Sequence, residues 1–154
     1  MLKTQQTAPD FTAVNENNES ISLSDFKGRK NIVLYFYPKD DTPGCTVEAN
    51  QFTALANEFA ALDTVVIGVS KDDCASHQAF IEKFYLKVML LADTNGELCK
   101  SYDVWQEKEK NGVKKMGIVR STFIIDKQGK IIDAEYSVNP EGHAQSVLEK
   151  LKFL

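Results

Sequence analysis

The sequence has a deficit of basic residues and no long apolar run. Lys and Arg total 18 against 22 Asp and Glu, which gives a formal net charge of -4 at pH 7. A protein that holds nucleic acid or anionic lipid by charge carries a basic excess, and this chain has none. No stretch approaches the ~20 apolar residues of a membrane-spanning helix. These absences disfavour nucleic-acid-binding and membrane roles.

Secretory features and cysteine pairs are also missing. Residues 1–6 lack the apolar region of a secretory signal, so we expect a soluble, cytoplasmic protein. Cysteine occurs only three times, as Cys45, Cys74 and Cys99, and an odd number in a reducing compartment argues against a disulfide framework. At least one thiol is therefore expected to be free.

Repeats, low-complexity tracts and Ser/Gly linkers are absent as well. The length of 154 residues fits one globular domain, and we predict a single domain over residues 1–154. A domain of this size buries roughly two-thirds of the surface that its unfolded chain exposes, so a core can stabilise it without disulfides.

What is present is an alternation of strand and helix patterns. The pattern predicts strands at 11–14, 20–23, 31–37, 64–69, 88–91, 119–125 and 130–136, and helices at 46–62, 73–84 and 95–102. The first two strands form an N-terminal β-hairpin, and the last two flank the turn Asp126–Gly129. We predict an α/β fold with a mixed central sheet and helices on both faces.

Two segments near the C-terminus complete the prediction. Residues 106–115 are charged and lack a hydrophobic period, so we expect a loop there. A final helix with an apolar stripe is expected to begin with Asn139 as N-cap and Pro140 at its first position.

The segment around Cys45 carries the chemistry. A buried strand ends before Pro38, and Thr42 and Pro43 are typical of an N-cap and a first helical position. Counted from Thr42 as N-cap, the helix begins before its periodic stretch 46–62, and Cys45 is its third residue, where the helix dipole favours negative charge. Because the thiolate is the nucleophile, this placement favours a reactive cysteine over a small buried apolar residue, which is the alternative.

The helix dipole contributes only ~0.3–1 kcal/mol, so a reactive thiolate needs a cation as well. Arg120 lies in an apolar strand pattern where a guanidinium is costly to bury unpaired, and a thiolate would pair it. The alternative for Arg120 is a surface salt bridge at a strand edge, and the residues alone leave both open.

At these residues the sequence resembles the peroxiredoxins, specifically the bacterioferritin comigratory protein or peroxiredoxin Q subfamily. The family motif Pro-x-x-x-Thr-x-x-Cys matches Pro38, Thr42 and Cys45, and the family's active-site arginine matches Arg120. The resemblance covers essentially the whole chain. It implies a thioredoxin-like fold and a single thioredoxin-like peroxiredoxin domain.

The resemblance also implies an activity. It implies thiol-dependent reduction of hydrogen peroxide and organic hydroperoxides to water and alcohols, with no haem, flavin or metal cofactor. Cys45 would attack the peroxide and become a sulfenic acid, Thr42 would orient the reactants, Arg120 would stabilise the charge and Pro38 would shield the site. Glu48 either holds Arg120 in place or occupies a solvated helix position.

The family's resolving cysteines have no counterpart here, because their usual positions hold Asn50 and Ile81. Cys74 lies seven residues before Ile81, about 10 Å along the helix axis, so a bridge to Cys45 needs local unfolding. Cys99 is expected in the core. We expect recycling of Cys45 by thioredoxin or another external thiol first, a bridge to Cys74 second and one to Cys99 third.

Other activities are less well supported. A thioredoxin-type exchanger needs Cys-x-x-Cys, but position 48 is Glu48, and Cys74-x-x-His77 is half of a zinc pattern without a second half. A cysteine hydrolase needs a histidine base. We expect His77 to pack in the core and His143 to be exposed.

The competing hypothesis is a peroxide-sensing thiol switch or binding protein without efficient turnover. The preferred peroxide, the physiological reductant and the oligomeric state are left open by the sequence, although the subfamily tends to be monomeric.

Overall fold

The structure is a computed structural model and describes residues 1–153. Its strands are β1 (Thr12–Asn15), β2 (Ser20–Ser22), β3 (Asn31–Phe36), β4 (Thr64–Ser70), β5 (Met89–Ala92), β6 (Trp105–Lys110), β7 (Val113–Ile118), β8 (Ser121–Ile125) and β9 (Ile131–Tyr136). Its α-helices are α1 (Pro43–Ala54), α2 (Ala56–Ala61), α3 (Cys74–Phe84), α4 (Glu97–Ser101) and α5 (His143–Lys152). A 3₁₀ turn, Leu23–Asp25, follows β2.

Seven strands form one mixed sheet in the order β2-β1-β5-β4-β3-β8-β9. Strands β3, β4 and β5 run parallel, and the pairs at either side of them are antiparallel. β3 lies inside the sheet between β4 and β8 and is buried beyond its first residue, which is why its sequence is an unbroken apolar and aromatic run. The mixed sheet and the N-terminal hairpin β1–β2 confirm the predicted fold class.

Helices cover both faces of the sheet. Alternate residues of β3 enter different cores: Val33 and Tyr35 pack with α1, α3 and α5, whereas Leu34 and Phe36 pack with α4. Burying each of the side chains of Val33, Leu34 and Phe36 contributes about 1.5–3 kcal/mol to folding. The two-sided cover confirms the prediction of helices on both faces.

The sheet positions the candidate site through its parallel strands. The carboxyl ends of β3 and β4 meet at one edge, with Phe36 beside Val69. On its other side Phe36 pairs with Ser121, the first residue of β8. The segment that leaves β3 therefore starts next to Arg120, at the edge where open α/β folds bind ligands.

Two element predictions were wrong. The predicted helix 46–62 is two helices, because the backbone leaves helical geometry at Leu55. The predicted loop 106–115 lies in the hairpin β6–β7, which turns at Asn111 and Gly112 with φ of 54° and 77°. Most side chains of this hairpin are exposed, so it has no apolar face to produce a hydrophobic period, but Asn-Gly is a strong hairpin signal.

The start of the last helix was also predicted wrongly. α5 begins at His143 with Gly142 as its N-cap at φ 78°, while the side chain of Asn139 accepts a hydrogen bond from the Glu141 backbone, a local turn. Residues 137–142 form a connection that returns over α1, since the Gly142 N–H donates to Gln51 Oε1 at 2.8 Å. No helix within residues 1–153 has the length and apolar character that crossing a bilayer requires.

Candidate active site

Cys45 lies where the sequence predicts it, at the third position of α1. Thr42 is the N-cap with extended backbone (φ -103°, ψ 156°), and Pro43 is the first helical residue. The Cys45 side chain belongs to the core between α1 and the sheet, and the residue is 1% exposed. The helix N-terminus therefore acts on a sulfur that is almost fully shielded from water.

Arg120 reaches this sulfur from the residue before β8. Its Nη2 atom lies 3.3 Å from Cys45 Sγ, and its Nη1 atom donates to Glu48 Oε1 at 2.8 Å. Burial disfavours the charged guanidinium, but Glu48 and Cys45 outweigh this and raise the Arg120 pKa. The guanidinium is thus held as a cation with its Nη2 edge toward the Cys45 sulfur.

Glu48 lies on α1 less than one turn beyond Cys45 and is fully buried, so the solvated position is excluded. Burial raises the pKa of Glu48 to about 7, against the opposing effect of Arg120. Its Oε2 atom makes no hydrogen bond among the described residues. Two acidic groups thus share one guanidinium, and a protonated Glu48 leaves the cation to the thiolate.

Gly44 makes room for this arrangement. A Cβ at position 44 would lie 3.1 Å from Arg120 Nη2 and 3.4 Å from Pro140 Cγ. Pro140, which the sequence predicted at a helix start, therefore lies beside Arg120. The carbonyl of Arg120 also accepts from the Val138 N–H at 2.9 Å, so the connection 137–142 supports this wall of the site. No sequence signal indicates that contact.

Thr42 and Pro38 lie on the segment that joins β3 to α1. Thr42 is half-buried, and its Oγ1 donates to the Lys39 carbonyl at 2.8 Å. Pro38 is exposed. The structure thus places both residues in the turn before Cys45, and the roles that the resemblance implies for them stay predictions.

The other two cysteines lie apart from each other. Cys74 is half-buried at the first position of α3, and its Sγ donates to the Asn15 carbonyl at 3.2 Å. Cys99 is fully buried in the core on the opposite face of the sheet from Cys45. Burial, together with Asp93, raises the Cys99 pKa far above its ordinary value, which keeps that thiol protonated. All three cysteines are free.

The two histidines do not behave alike. His77 is fully buried, but it also hydrogen-bonds to Asp40 and to the Leu91 carbonyl, which periodicity could not indicate. His143, expected to be exposed, is buried and pairs through Nε2 with Thr122 Oγ1 at 2.8 Å. Its ring faces inward because His143 lies one turn before Val147, on the buried face of α5.

One polar cluster in the described chain has donors of the kind that hold metals. Asp40, Asp72 and His77 each bring a ligand atom within 4.8 Å of the other two. Both ring nitrogens of His77 are already in hydrogen bonds with protein oxygens, so the donors satisfy one another. We assign no metal to this cluster.

Comparisons with known proteins agree with the geometry. The model of the AhpC/TSA family matches residues 4–134. Peroxiredoxin Bcp of Bacillus subtilis strain 168 is 47% identical over 147 residues, covering 96% of this chain and 93% of that protein.

Two solved structures are similar throughout. One is the Xanthomonas campestris bacterioferritin comigratory protein, studied for alkyl peroxide reduction, with TM-score 0.90, 35% identity and coverage of 99% and 97% of the two chains. The other is a cysteine variant of Xylella fastidiosa PrxQ, with TM-score 0.93, 36% identity and the same two coverages. The chain therefore belongs to the AhpC/TSA family, and within it to the Bcp or peroxiredoxin Q group of thioredoxin-like peroxiredoxins.

Proposed function

We propose that this peroxiredoxin reduces hydrogen peroxide and organic hydroperoxides to water and alcohols, with Cys45 as the attacking residue. The observation that carries the proposal is the 3.3 Å contact between Arg120 Nη2 and the Cys45 sulfur at a helix N-terminus. The alkyl peroxide reduction studied in the Xanthomonas relative supports a hydroperoxide as substrate.

The reaction follows from the groups at the site. The Cys45 thiolate attacks one peroxide oxygen, so that an S–O bond forms while the O–O bond breaks. Cys45 is oxidised to a sulfenic acid, and the leaving oxygen departs as alkoxide or hydroxide and takes up a proton. Arg120 stabilises first the thiolate and then the charge that develops on the leaving oxygen.

Thr42 and Pro38 complete the proposed site. The Thr42 hydroxyl uses its proton for the Lys39 carbonyl. Its oxygen lone pairs are then free to accept a hydrogen bond from the peroxide and so orient it. Pro38, four residues earlier on the same segment, is proposed to limit the access of water once substrate is bound.

For the return to the thiol we propose a single-cysteine cycle in which thioredoxin or a small thiol attacks the sulfenic acid. Cys99 lies in the opposite core and stays protonated, which makes it the weakest resolving candidate. Cys74 is half-buried and comes second. Because Cys45 is 1% exposed, the start of α1 must move before either an external thiol or Cys74 can reach its sulfur.

We further propose that the chain is one domain over residues 1–154 and a cytoplasmic monomer. The uninterrupted seven-stranded sheet supports a single domain, and three free thiols fit a reducing compartment. Light scattering at micromolar concentration tests the monomer, and cell fractionation with an antibody tests the compartment.

The experiment for the function is peroxide consumption by the purified protein with thioredoxin, thioredoxin reductase and NADPH. We expect many turnovers per protein with hydrogen peroxide and with an alkyl hydroperoxide. The alternative, a thiol switch, predicts one equivalent consumed per protein and then none. Failure with thioredoxin, glutathione and dithiothreitol alike would exclude the enzyme.

A further inference from the structure

The segment that carries Pro38 and Thr42 is fastened to the rest of the molecule by a buried polar cluster. We call this segment, residues 37–42, the peroxidatic loop. It connects β3 to α1 and therefore sets where the start of α1 lies. The fastening point is Asp40, whose side chain is nearly fully buried.

The Asp40 carboxylate accepts three hydrogen bonds. Its Oδ1 accepts from the hydroxyl of Tyr37 at 2.5 Å. Its Oδ2 lies 2.7 Å from His77 Nδ1 and accepts from Ser76 Oγ at 2.8 Å. His77 and Ser76 both belong to α3, so one carboxylate joins the loop to that helix.

His77 is held from both sides. Its Nε2 lies 2.9 Å from the Leu91 carbonyl, which can only accept, so Nε2 carries a proton. Its Nδ1 faces the Asp40 carboxylate. Burial favours the neutral ring, but the hydrogen bond and the charge of Asp40 outweigh it and raise the His77 pKa. Both ring nitrogens thus face protein oxygens, and the raised pKa favours the imidazolium form beside the Asp40 carboxylate.

A second anchor comes from the end of β4. The backbone N–H of Asp40 donates to Asp72 Oδ2 at 2.8 Å, and the same oxygen accepts from Ser70 Oγ. Inside the loop, Thr42 Oγ1 bonds to the Lys39 carbonyl, so the residues on either side of Asp40 are tied together. We therefore expect a shift of Asp40 to move Thr42 and, with it, the start of α1.

A buried ion pair is a costly way to join two elements, since apolar residues of the same volume often stabilise a fold equally well. What the pair adds is one defined geometry, because each donor and acceptor is used. We propose that Asp40 and His77 are positioning residues that hold the peroxidatic loop in the arrangement that reacts with peroxide. The inference rests on the proposed function and assigns to it two residues outside the motif.

The proposal has a consequence for both halves of the cycle. A fixed loop keeps Thr42, Cys45 and Arg120 aligned for the peroxide, but it also keeps the sulfur shielded from bulkier thiols. Loosening the loop is expected to slow the reaction with peroxide and to speed the reaction of Cys45 with a reagent that needs access. A change that only destabilises the fold alters both rates in proportion to the unfolded fraction, which circular dichroism measures.

The test uses His77→Gln and Asp40→Asn in the full chain, well below the unfolding temperature of each variant. One measurement is the rate constant for oxidation by hydrogen peroxide, from competition with a haem peroxidase. The other is the alkylation rate of Cys45 by iodoacetamide at alkaline pH, followed on its peptide by mass spectrometry. We expect the rate constant for oxidation by hydrogen peroxide to fall about tenfold or more, since small misplacements cost large factors in rate. We expect the alkylation rate of Cys45 to rise several-fold.

Lys83→Ala is the matched control. Lys83 Nζ pairs with Asp41 Oδ2 at 2.7 Å and so joins the same loop to the same helix, but at the exposed surface. Exposed ion pairs contribute little, so both rates are expected to stay within about twofold of the wild type. If the first two variants do not fold, Ser76→Ala removes one hydrogen bond to Asp40 and is expected to move both rates in the same directions.

Unchanged rates in the folded variants would overturn the proposal. So would two rates that change only in proportion to the unfolded fraction measured by circular dichroism. Peroxide consumption by the wild type shows whether a failure lies with this proposal or with the proposed function. If the wild type fails to consume peroxide, the proposed function fails, while the alkylation rate still reports whether the pair holds the loop.

Discussion

The Nη2 atom of Arg120 lies 3.3 Å from the sulfur of Cys45, although 75 residues separate them in the chain. The contact exists because β8 runs antiparallel to β3, so the residue before β8 lies beside the segment after β3. Glu48 fixes the other side of the guanidinium. The fold thus places one cation against a thiol that the helix start already favours as an anion.

We expect Arg120→Lys to lower the rate constant with hydrogen peroxide by about tenfold or more. A lysine ammonium is a point charge without the guanidinium fork that reaches Glu48 through Nη1 and Cys45 through Nη2, and a charge-assisted hydrogen bond is worth ~1.5–3 kcal/mol. Arg29→Lys, at an exposed position, is the control. An unchanged rate constant with hydrogen peroxide in Arg120→Lys would contradict the role of Arg120.

We expect Glu48→Gln to remove a pH dependence of stability. The folded-state pKa of Glu48 is raised from 4.5 to about 7, so its contribution to stability is present at low pH and is lost as pH rises through about 7. Between pH 5 and pH 8 the unfolding free energy of the wild type should fall relative to the variant by on the order of 2–3 kcal/mol. Urea unfolding at the two pH values measures this difference.

Glu58→Gln, an exposed carboxyl on α2, provides the comparison for that experiment. The unfolding free energy of Glu58→Gln is expected to change between pH 5 and pH 8 by the same amount as that of the wild type. A parallel profile for Glu48→Gln as well would mean that Glu48 is ionised throughout the range, and the idea that a protonated Glu48 leaves the cation to the thiolate would be wrong.

Gly44→Ala is expected to separate activity from stability. Alanine is about 1 kcal/mol better than glycine inside a helix, but the new Cβ would lie 3.1 Å from Arg120 Nη2 and displace it. The rate constant with peroxide should fall several-fold, because even a shift of a few tenths of an ångström misaligns the guanidinium, while the melting temperature holds or rises. Asn50→Ala, exposed on the same helix, should leave the rate unchanged. Full activity in Gly44→Ala would show that the guanidinium position is not critical.

We expect the burial of His143 to make the protein less stable at acidic pH. Burial lowers its pKa from 6.5 to about 4, so its contribution is complete above 6.5 and is lost as pH falls toward 4. Relative to His143→Gln, the wild type should lose on the order of 3 kcal/mol of unfolding free energy between pH 7 and pH 4. Chemical unfolding across this range provides the measurement, and identical acid profiles would refute the prediction.

The local features of the fold follow from the sequence. Thr42 and Pro43 predicted the helix start, and with it the position of Cys45, because a cap and a proline act through their own backbone. The buried strands were predicted because an apolar run needs cover on both faces. The hairpin β6–β7 was missed because its mostly exposed faces leave no hydrophobic period, although Asn111-Gly112 was there to indicate it.

The missed parts of the site are long-range contacts. Nothing around Pro140 indicates that it packs beside Arg120, because this depends on how the connection 137–142 returns over α1. The pairing of Asp40 with His77 joins a loop to a helix start 37 residues away. Periodicity reports which face of an element is buried, but not which polar partner it meets there.

The most direct measurement of the central claim is the site of first oxidation. The protein is treated with one equivalent of hydrogen peroxide in the presence of dimedone, which traps sulfenic acids, and its peptides are analysed by mass spectrometry. We predict the adduct on the Cys45 peptide, and its loss in Cys45→Ser with no gain elsewhere. An adduct on Cys74 or Cys99 with Cys45 unmodified would contradict the account.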